Sequence, residues 1–187
     1  MKKDISEIID ASLDTIVKVR ELMPQIEQAA KIMIDCLKKG NKIMACGNGG
    51  SSLQAMHFTG ELVGKFESES KKALAGLCLN TDVGNMTAVG NDYGYELIFK
   101  RQIEGLGRKG DVLLCFTTSG NSENLIEAIN KIKGIKVINL LGRDGGKMEG
   151  IGDVDIIVDS DSTARIQECH LLILHILAKL IEDEFVK

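Results

Sequence analysis

Five short apolar runs alternate with helical patterns along the chain, and this alternation restricts the fold more than any other feature. The runs are KIMAC from Lys42, ALAGLCLN from Ala73, DVLLCFTT from Asp111, IKVINLLG from Ile135 and VDIIVDS from Val154. Strands buried on both faces read as near-continuous apolar stretches, and helices between them supply the cover. The expected fold is therefore α/β, with a central parallel five-stranded sheet flanked by helices. The helical segments are Ser52 to Phe66, NDYGYELIFKRQIEGLG from Asn91, ENLIEAINKIK from Glu123, and TARIQECHLLILHILAKLIEDE from Thr163. The last of these reads as long and largely buried.

Two further helices precede the alternation. Ile5, Ile8, Ile9, Leu13, Ile16 and Val17 recur at helical spacing with charges between them. Ile26, Ala29, Ala30, Met33 and Leu37 repeat the pattern after Pro24, a residue suited to a first helical turn. The lysines and glycine of KKGNK close this second helix, as the helix dipole favours. A chain of 187 residues suits one domain, with residues 1–40 as the helical pair and 41–187 as the α/β core. Helices already cover the expected sheet, so the stripes of the N-terminal pair call for another surface. Symmetric self-association is the commonest solution.

Charge and composition narrow the partners. A net charge of −4 provides no basic field, which argues against nucleic acid. The longest apolar stretch, LLILHILAKLI from Leu171, falls well short of the roughly 20 residues a membrane span needs. Asp4, Glu7 and Asp10 interrupt any hydrophobic run near the N-terminus, so no secretory signal is read there and a cytoplasmic location is expected. Cys36, Cys46, Cys78, Cys115 and Cys169 are odd in number and form no CxxC pair, as expected of buried reduced thiols.

Two turns carry the chemistry. MACGNGGSS and LCFTTSGNSE share one scheme, an apolar strand, a small polar turn and a helix. In an open α/β sheet such turns gather at the carboxyl ends of the strands, where ligands bind. Thr117, Thr118, Ser119 and Ser122 line the second turn ahead of a helix whose first N–H groups lack partners. They can cage a phosphate, or one hydroxyl can serve as a plain helix cap. Neither GxGxxG nor a P-loop lysine motif is present, which argues against dinucleotides and nucleoside triphosphates.

Beyond the first turn, His57 and Glu61 stand four residues apart and share a helix face. They can form a solvated ion pair, or meet at one metal ion or substrate. Gln167 and His175 on the last helix differ by about 80° in azimuth and about 12 Å in rise. His170 and His175 differ by about 140° and cannot face one ion. On spacing alone, either histidine can be a core residue.

Taken in order, CGNGGSS, HFTGEL, GNDYG, GDVLLCFTTSGNS and ARIQECHLLILHIL resemble the phosphoheptose isomerases (sedoheptulose 7-phosphate isomerases) of the sugar-isomerase, or SIS, domain superfamily. The likeness spans nearly the whole chain, including the paired N-terminal helices. It implies a single SIS domain and one zinc ion per subunit, bound by His57, Glu61, Gln167 and His175. Glu61 and His175 correspond to the family's proton-transfer residues. Sugar contacts fall on Asn48, Gly49, Gly50, Glu61, Asn91, Asp92 and Gln167, and phosphate-side contacts on Thr117, Thr118, Ser119 and Ser122. Two positions depart from the family pattern: Thr117 stands where serine is frequent, and Ala164 where some members carry aspartate.

The implied reaction converts sedoheptulose 7-phosphate to D-glycero-D-manno-heptose 7-phosphate through an enediol(ate). It is the first step towards nucleotide-activated heptose for lipopolysaccharide, capsule or another glycan. The resemblance also implies a homotetramer with sites completed at subunit interfaces. The rival is a non-catalytic SIS protein that binds a replication initiator or senses a sugar phosphate. The initiator-binding relative keeps the RIQE motif but replaces the helix glutamate and late histidine, whereas Glu61 and His175 both stand here.

Overall fold

The computed structural model describes residues 1–130 and 132–186. Its sheet contains β1 (Ile43–Gly47), β2 (Gly76–Cys78), β3 (Val112–Phe116), β4 (Lys136–Gly142) and β5 (Val154–Val158). All neighbours run parallel, in the order β2-β1-β3-β4-β5. Strand order therefore reverses direction between β1 and β3, and this switch point is where such sheets open a crevice for ligands.

Seven α-helices surround the sheet among the described residues: α1 (Lys2–Lys18), α2 (Met23–Lys38), α3 (Gly50–Val63), α4 (Val83–Asp92), α5 (Lys100–Leu106), α6 (Glu123–Ile129) and α7 (Thr163–Phe185). Side chains alternate across each strand. Ile43, Ala45, Leu114, Phe116, Ile138 and Leu140 consequently join one core with residues of α2, α3 and α7. Met44, Cys46, Leu113, Cys115 and Leu141 join the opposite core with Ile98, Phe99, Ile103, Leu125 and Ala128. All five cysteines are buried and free, and Cys46 lies beside Cys115 with their sulfurs 3.8 Å apart. Neighbouring sulfur and burial push the Cys46 thiol well up, which favours the protonated form.

Several elements differ from the sequence expectation. The helix expected from Ser52 to Phe66 runs from Gly50 to Val63 instead. It stops because the Phe66, Glu67 and Ser68 N–H groups turn to the Glu182 carboxylate at 3.0, 2.9 and 3.1 Å. Lys71 then donates to the freed carbonyls of Leu62 and Gly64. The single helix expected from Asn91 is broken at Gly94, whose φ of 102° lies outside helical space. What remains is the end of α4, a 3₁₀ turn at Tyr95–Leu97 and then α5. Helix α6 ends at Ile129, since Asn130 is extended at ψ 118°. Lys131, inside the expected helical segment, and Lys187, the last residue of the expected domain, lie outside the described residues.

The N-terminal pair also divides unexpectedly. Helix α2 buries Ile26, Ala29, Ala30 and Met33 in the sheet core, so it belongs to the cover. Only α1 leaves a stripe in solvent: Ile5, Ile8, Ile9, Leu13 and Val17 are each more than half exposed. Arg165 holds α1 to α7 by donating to the Ile8 carbonyl at 2.8 Å, and Ser12 donates to Glu168 at 2.7 Å. No helix among the described residues is long and apolar enough to cross a membrane.

Candidate active site

The first turn leaves β1 at Gly47 and enters α3 at Gly50. A Cβ on Gly50 would come within 2.6 Å of Gln167 Nε2, so the bare glycine leaves the Gln167 amide its present place against the turn. Gln54 reinforces the approach by donating to the Gln167 carbonyl at 2.6 Å. Gly50, Gln54, His57, Ala164 and Gln167 line a shared cavity of about 450 Å³.

One helical turn further along α3, His57 Nε2 lies 2.9 Å from Glu61 Oε1. Helix α7 brings His175 to the same point, its Nε2 3.4 Å from His57 Nε2. The two rings meet edge-on at 76°, with centroids 5.0 Å apart, and Phe66 tilts against His175 at 5.5 Å. Ligand atoms of His57, Glu61 and His175 all lie within 4.8 Å of one another. Two nitrogens bound to one tetrahedral ion at about 2.0–2.1 Å would be about 3.3 Å apart, close to the imidazole spacing here. Two imidazoles and a carboxylate suit a borderline-soft divalent cation, and a three-residue set leaves room for substrate or a further ligand. The triad can thus hold a metal. Among the described residues, the second Glu61 oxygen makes no hydrogen bond.

His170 plays no part in that cluster. It is fully buried, donates Nε2–H to the Leu141 carbonyl at 2.9 Å and packs edge-on against Phe116. Burial depresses its pKa to about 4, so the ring is neutral near pH 7.

The second turn follows β3. Thr117 is buried, and its hydroxyl accepts the Gly120 N–H at 3.2 Å, which shapes the loop from within. Ser119 Oγ accepts from Asn121 N–H at 3.2 Å, and Asn121 Oδ1 accepts from Lys147 N–H at 3.1 Å. Ser122 occupies the cap position of α6 without capping it. Among the described residues, neither the Thr118 nor the Ser122 hydroxyl has an intramolecular hydrogen bond. Helix capping therefore does not account for Ser122, whereas an anion would use both free hydroxyls.

Asn91 and Asp92 sit exposed at the end of α4, where the Asn91 amide donates to Asp92 at 2.7 Å. Among the described residues, no hydrogen bond links them to the His57 cluster. Three residues beyond, Tyr95 Oη donates to Asn48 Oδ1 at 3.2 Å. Asn48 also pairs with Asn124 of α6, a residue the sequence reading passed over. Its only sequence signal was a polar residue close behind the second turn, indistinguishable there from a solvated helix position. Phe66 and Glu182 were likewise not singled out.

Comparison with known proteins gives these features a family. The SIS domain model matches residues 8–142. The curated "Phosphoheptose isomerase" of Aliarcobacter butzleri is 46% identical, with 98% of each chain covered. That of Helicobacter pylori strain Shi470 is 50% identical over 82% of this chain and 81% of its own. Two solved phosphoheptose isomerase structures superpose closely. The Francisella tularensis protein has a TM-score of 0.92 at 41% identity, covering 97% of both chains. The Neisseria gonorrhoeae protein has 0.90 at 39%, covering 97% of this chain and 98% of its own. With a full-length match to curated relatives and the sheet, turns and His–Glu–His cluster in place, the chain belongs to the phosphoheptose isomerase family of SIS-domain enzymes.

Proposed function

We propose that this enzyme interconverts sedoheptulose 7-phosphate and D-glycero-D-manno-heptose 7-phosphate, in the cytoplasm, as an early step of heptose biosynthesis. The convergence of His57, Glu61 and His175 beside the glycine turn carries this reading. Ketose–aldose interconversion moves a proton between C1 and C2 and another between the two oxygens. In our assignment Glu61 removes the C1 proton of the ketose, giving a cis-enediol(ate), and returns a proton to C2. His175 would move the second proton between O1 and O2 through whichever imidazole nitrogen does not hold the ion. Zinc is the proposed ion, held by His57, Glu61 and His175 with Gln167 as a fourth ligand, and when bound it supplies Lewis-acid polarisation of the oxygens. Thr118, Ser119 and Ser122 hold the phosphate, supported from within by Thr117, while Asn48, Gly49, Gly50, Asn91 and Asp92 face the sugar.

Purified protein incubated with sedoheptulose 7-phosphate should form aldoheptose phosphate. A correctly folded protein that forms none would overturn the isomerase assignment.

We further propose a homotetramer with sites completed between subunits. The exposed α1 stripe supports it, and so does an apolar groove of about 700 Å³ lined by Val17, Met23, Pro24, Leu172, Ile176 and Leu180. Sedimentation equilibrium should give about four times the chain mass of 20.3 kDa. A fully active 20.3 kDa species would exclude it.

A further inference from the structure

At the switch point of the sheet, three chain segments meet through a single amide. Asn48 Nδ2 donates to Asn124 Oδ1 at 2.8 Å, and Asn124 Nδ2 donates back to Asn48 Oδ1 at 2.9 Å. Tyr95 Oη donates to the same Asn48 oxygen at 3.2 Å. Asn48 follows β1, Asn124 opens α6 beyond β3, and Tyr95 follows α4. Asn124 is 2% exposed, and the cluster lines a cavity of about 580 Å³ together with Ser122 and Glu96.

A carboxamide offers two acceptor sites and two N–H donors. Both acceptor sites of Asn48 Oδ1 are filled, one from Asn124 and one from Tyr95. One of its two N–H groups is committed to Asn124. A single N–H is left for a ligand. Rotating the Asn48 amide by half a turn would set its NH₂ against the NH₂ of Asn124 and break both bonds of the pair. The pair thus fixes where the Asn48 amide lies, and with Tyr95 Oη donating to Oδ1 the remaining Asn48 N–H is the group set for a ligand before any arrives. Such preorganisation lets a contact favour the transition state without ordering cost.

We infer that Asn124 is a positioning residue: its reciprocal amide pair with Asn48, closed by the Tyr95 hydroxyl, fixes the one Asn48 N–H that meets the sugar phosphate. The pair also ties the turn bearing the acid–base residues to the loop that takes the phosphate, setting the span between them. This inference rests on the proposed substrate contact of Asn48.

A double-mutant cycle tests it, with kcat/KM for sedoheptulose 7-phosphate measured in wild type, Asn48→Ala, Asn124→Ala and the double variant. Each single change should cost about tenfold, and the double should cost no more than Asn48→Ala alone, because Asn124 acts through Asn48. A residue that merely supports the fold would instead lower activity in both backgrounds. Melting temperatures of all four proteins control for folding. If Asn124→Ala melts early, Asn124→Asp replaces it in the cycle, since a carboxylate sets an oxygen against Asn48 Oδ1 and cannot donate.

Independent losses that multiply to about a hundredfold, or an Asn124 variant within about twofold of wild type, would overturn the proposal. Either result would leave the isomerase assignment standing. A folded wild type without isomerase activity would overturn both.

Discussion

The turn after β1 and the loop after β3 begin from nearly the same materials, and the fold puts them to different uses. Each follows a fully buried strand, and each passes through glycine, asparagine and serine into a helix. The first enters the 14-residue α3, long enough to project His57 and Glu61 from one face. The second enters α6, which has only seven residues and brings no acid–base pair to the crevice. Its hydroxyls and braced backbone suit a static anion instead. Similar turns thus diverge through the length and cargo of the helix behind them. In the proposed reaction one serves the reacting carbons and the other the distant phosphate, with the Asn48–Asn124 pair joining the two.

If that division holds, damage on the first side should appear chiefly in turnover. Glu61→Gln preserves shape and the His57 neighbour but removes the base, and should lower kcat by about 10²–10⁴-fold. Substrate affinity, measured by calorimetry, should change far less. Near-normal turnover in the folded variant would remove Glu61 from the role of base.

The two histidines of α7 sharpen the contrast, because they serve different sides. His175→Asn should lower both turnover and bound zinc, by about tenfold or more. His170→Asn should retain metal, since His170 lies under the second loop against Phe116 and Leu141. Its own signature is acid stability. With a folded pKa near 4 against 6.5 when free, the unfolded chain binds more protons between those values. Stability from this group is therefore complete above about pH 6.5 and lost as pH falls towards 4, by up to about 3 kcal/mol. Urea unfolding from pH 7 to pH 4 should show that loss in wild type and not in His170→Asn. Metal loss confined to the His170 variant would reverse the assignment.

On the second side the effect should be in binding. Ser119→Ala removes the proposed phosphate contact together with the bond from Asn121 N–H, and should raise KM by about tenfold. Unphosphorylated sedoheptulose should be a very poor substrate, because remote binding energy supports turnover as well as affinity. Comparable efficiency on the free sugar would end the anion role of the loop.

The contrast also marks what the sequence could disclose. Strands buried on both faces are continuous apolar runs, so the sheet was legible, as were His57 and Glu61 on one helix face. Helix α4 was not, because VGNMTAVGND holds two glycines and buries only Val89, which leaves no periodicity to detect. The stop of α3 depends on Glu182, more than a hundred residues away in sequence. Helix α2 has the same amphipathic pattern as α1, and only tertiary packing puts one on the sheet and leaves the other in solvent. The importance of Asn124 was hidden for a related reason. A buried amide and an exposed one are the same letter, and its partner lies 76 positions earlier.

The smallest expected effect tests how tightly that amide pair needs its third member. Tyr95 is 60% exposed, and its hydroxyl bond to Asn48 is longer than either bond of the pair. Water can replace a partly exposed hydroxyl at little cost. A neutral hydrogen bond contributes about 0.5–1.5 kcal/mol net, and exposure places this one at the low end. Tyr95→Phe should therefore lower kcat/KM by only about two- to threefold, with the ring still packed where it was. In the Asn48→Ala background the same change should have no effect, since the acceptor is gone. A loss as large as that of Asn124→Ala would mean that the hydroxyl, rather than the amide pair, sets the orientation of Asn48. The link between the two turns would then run through the segment after α4.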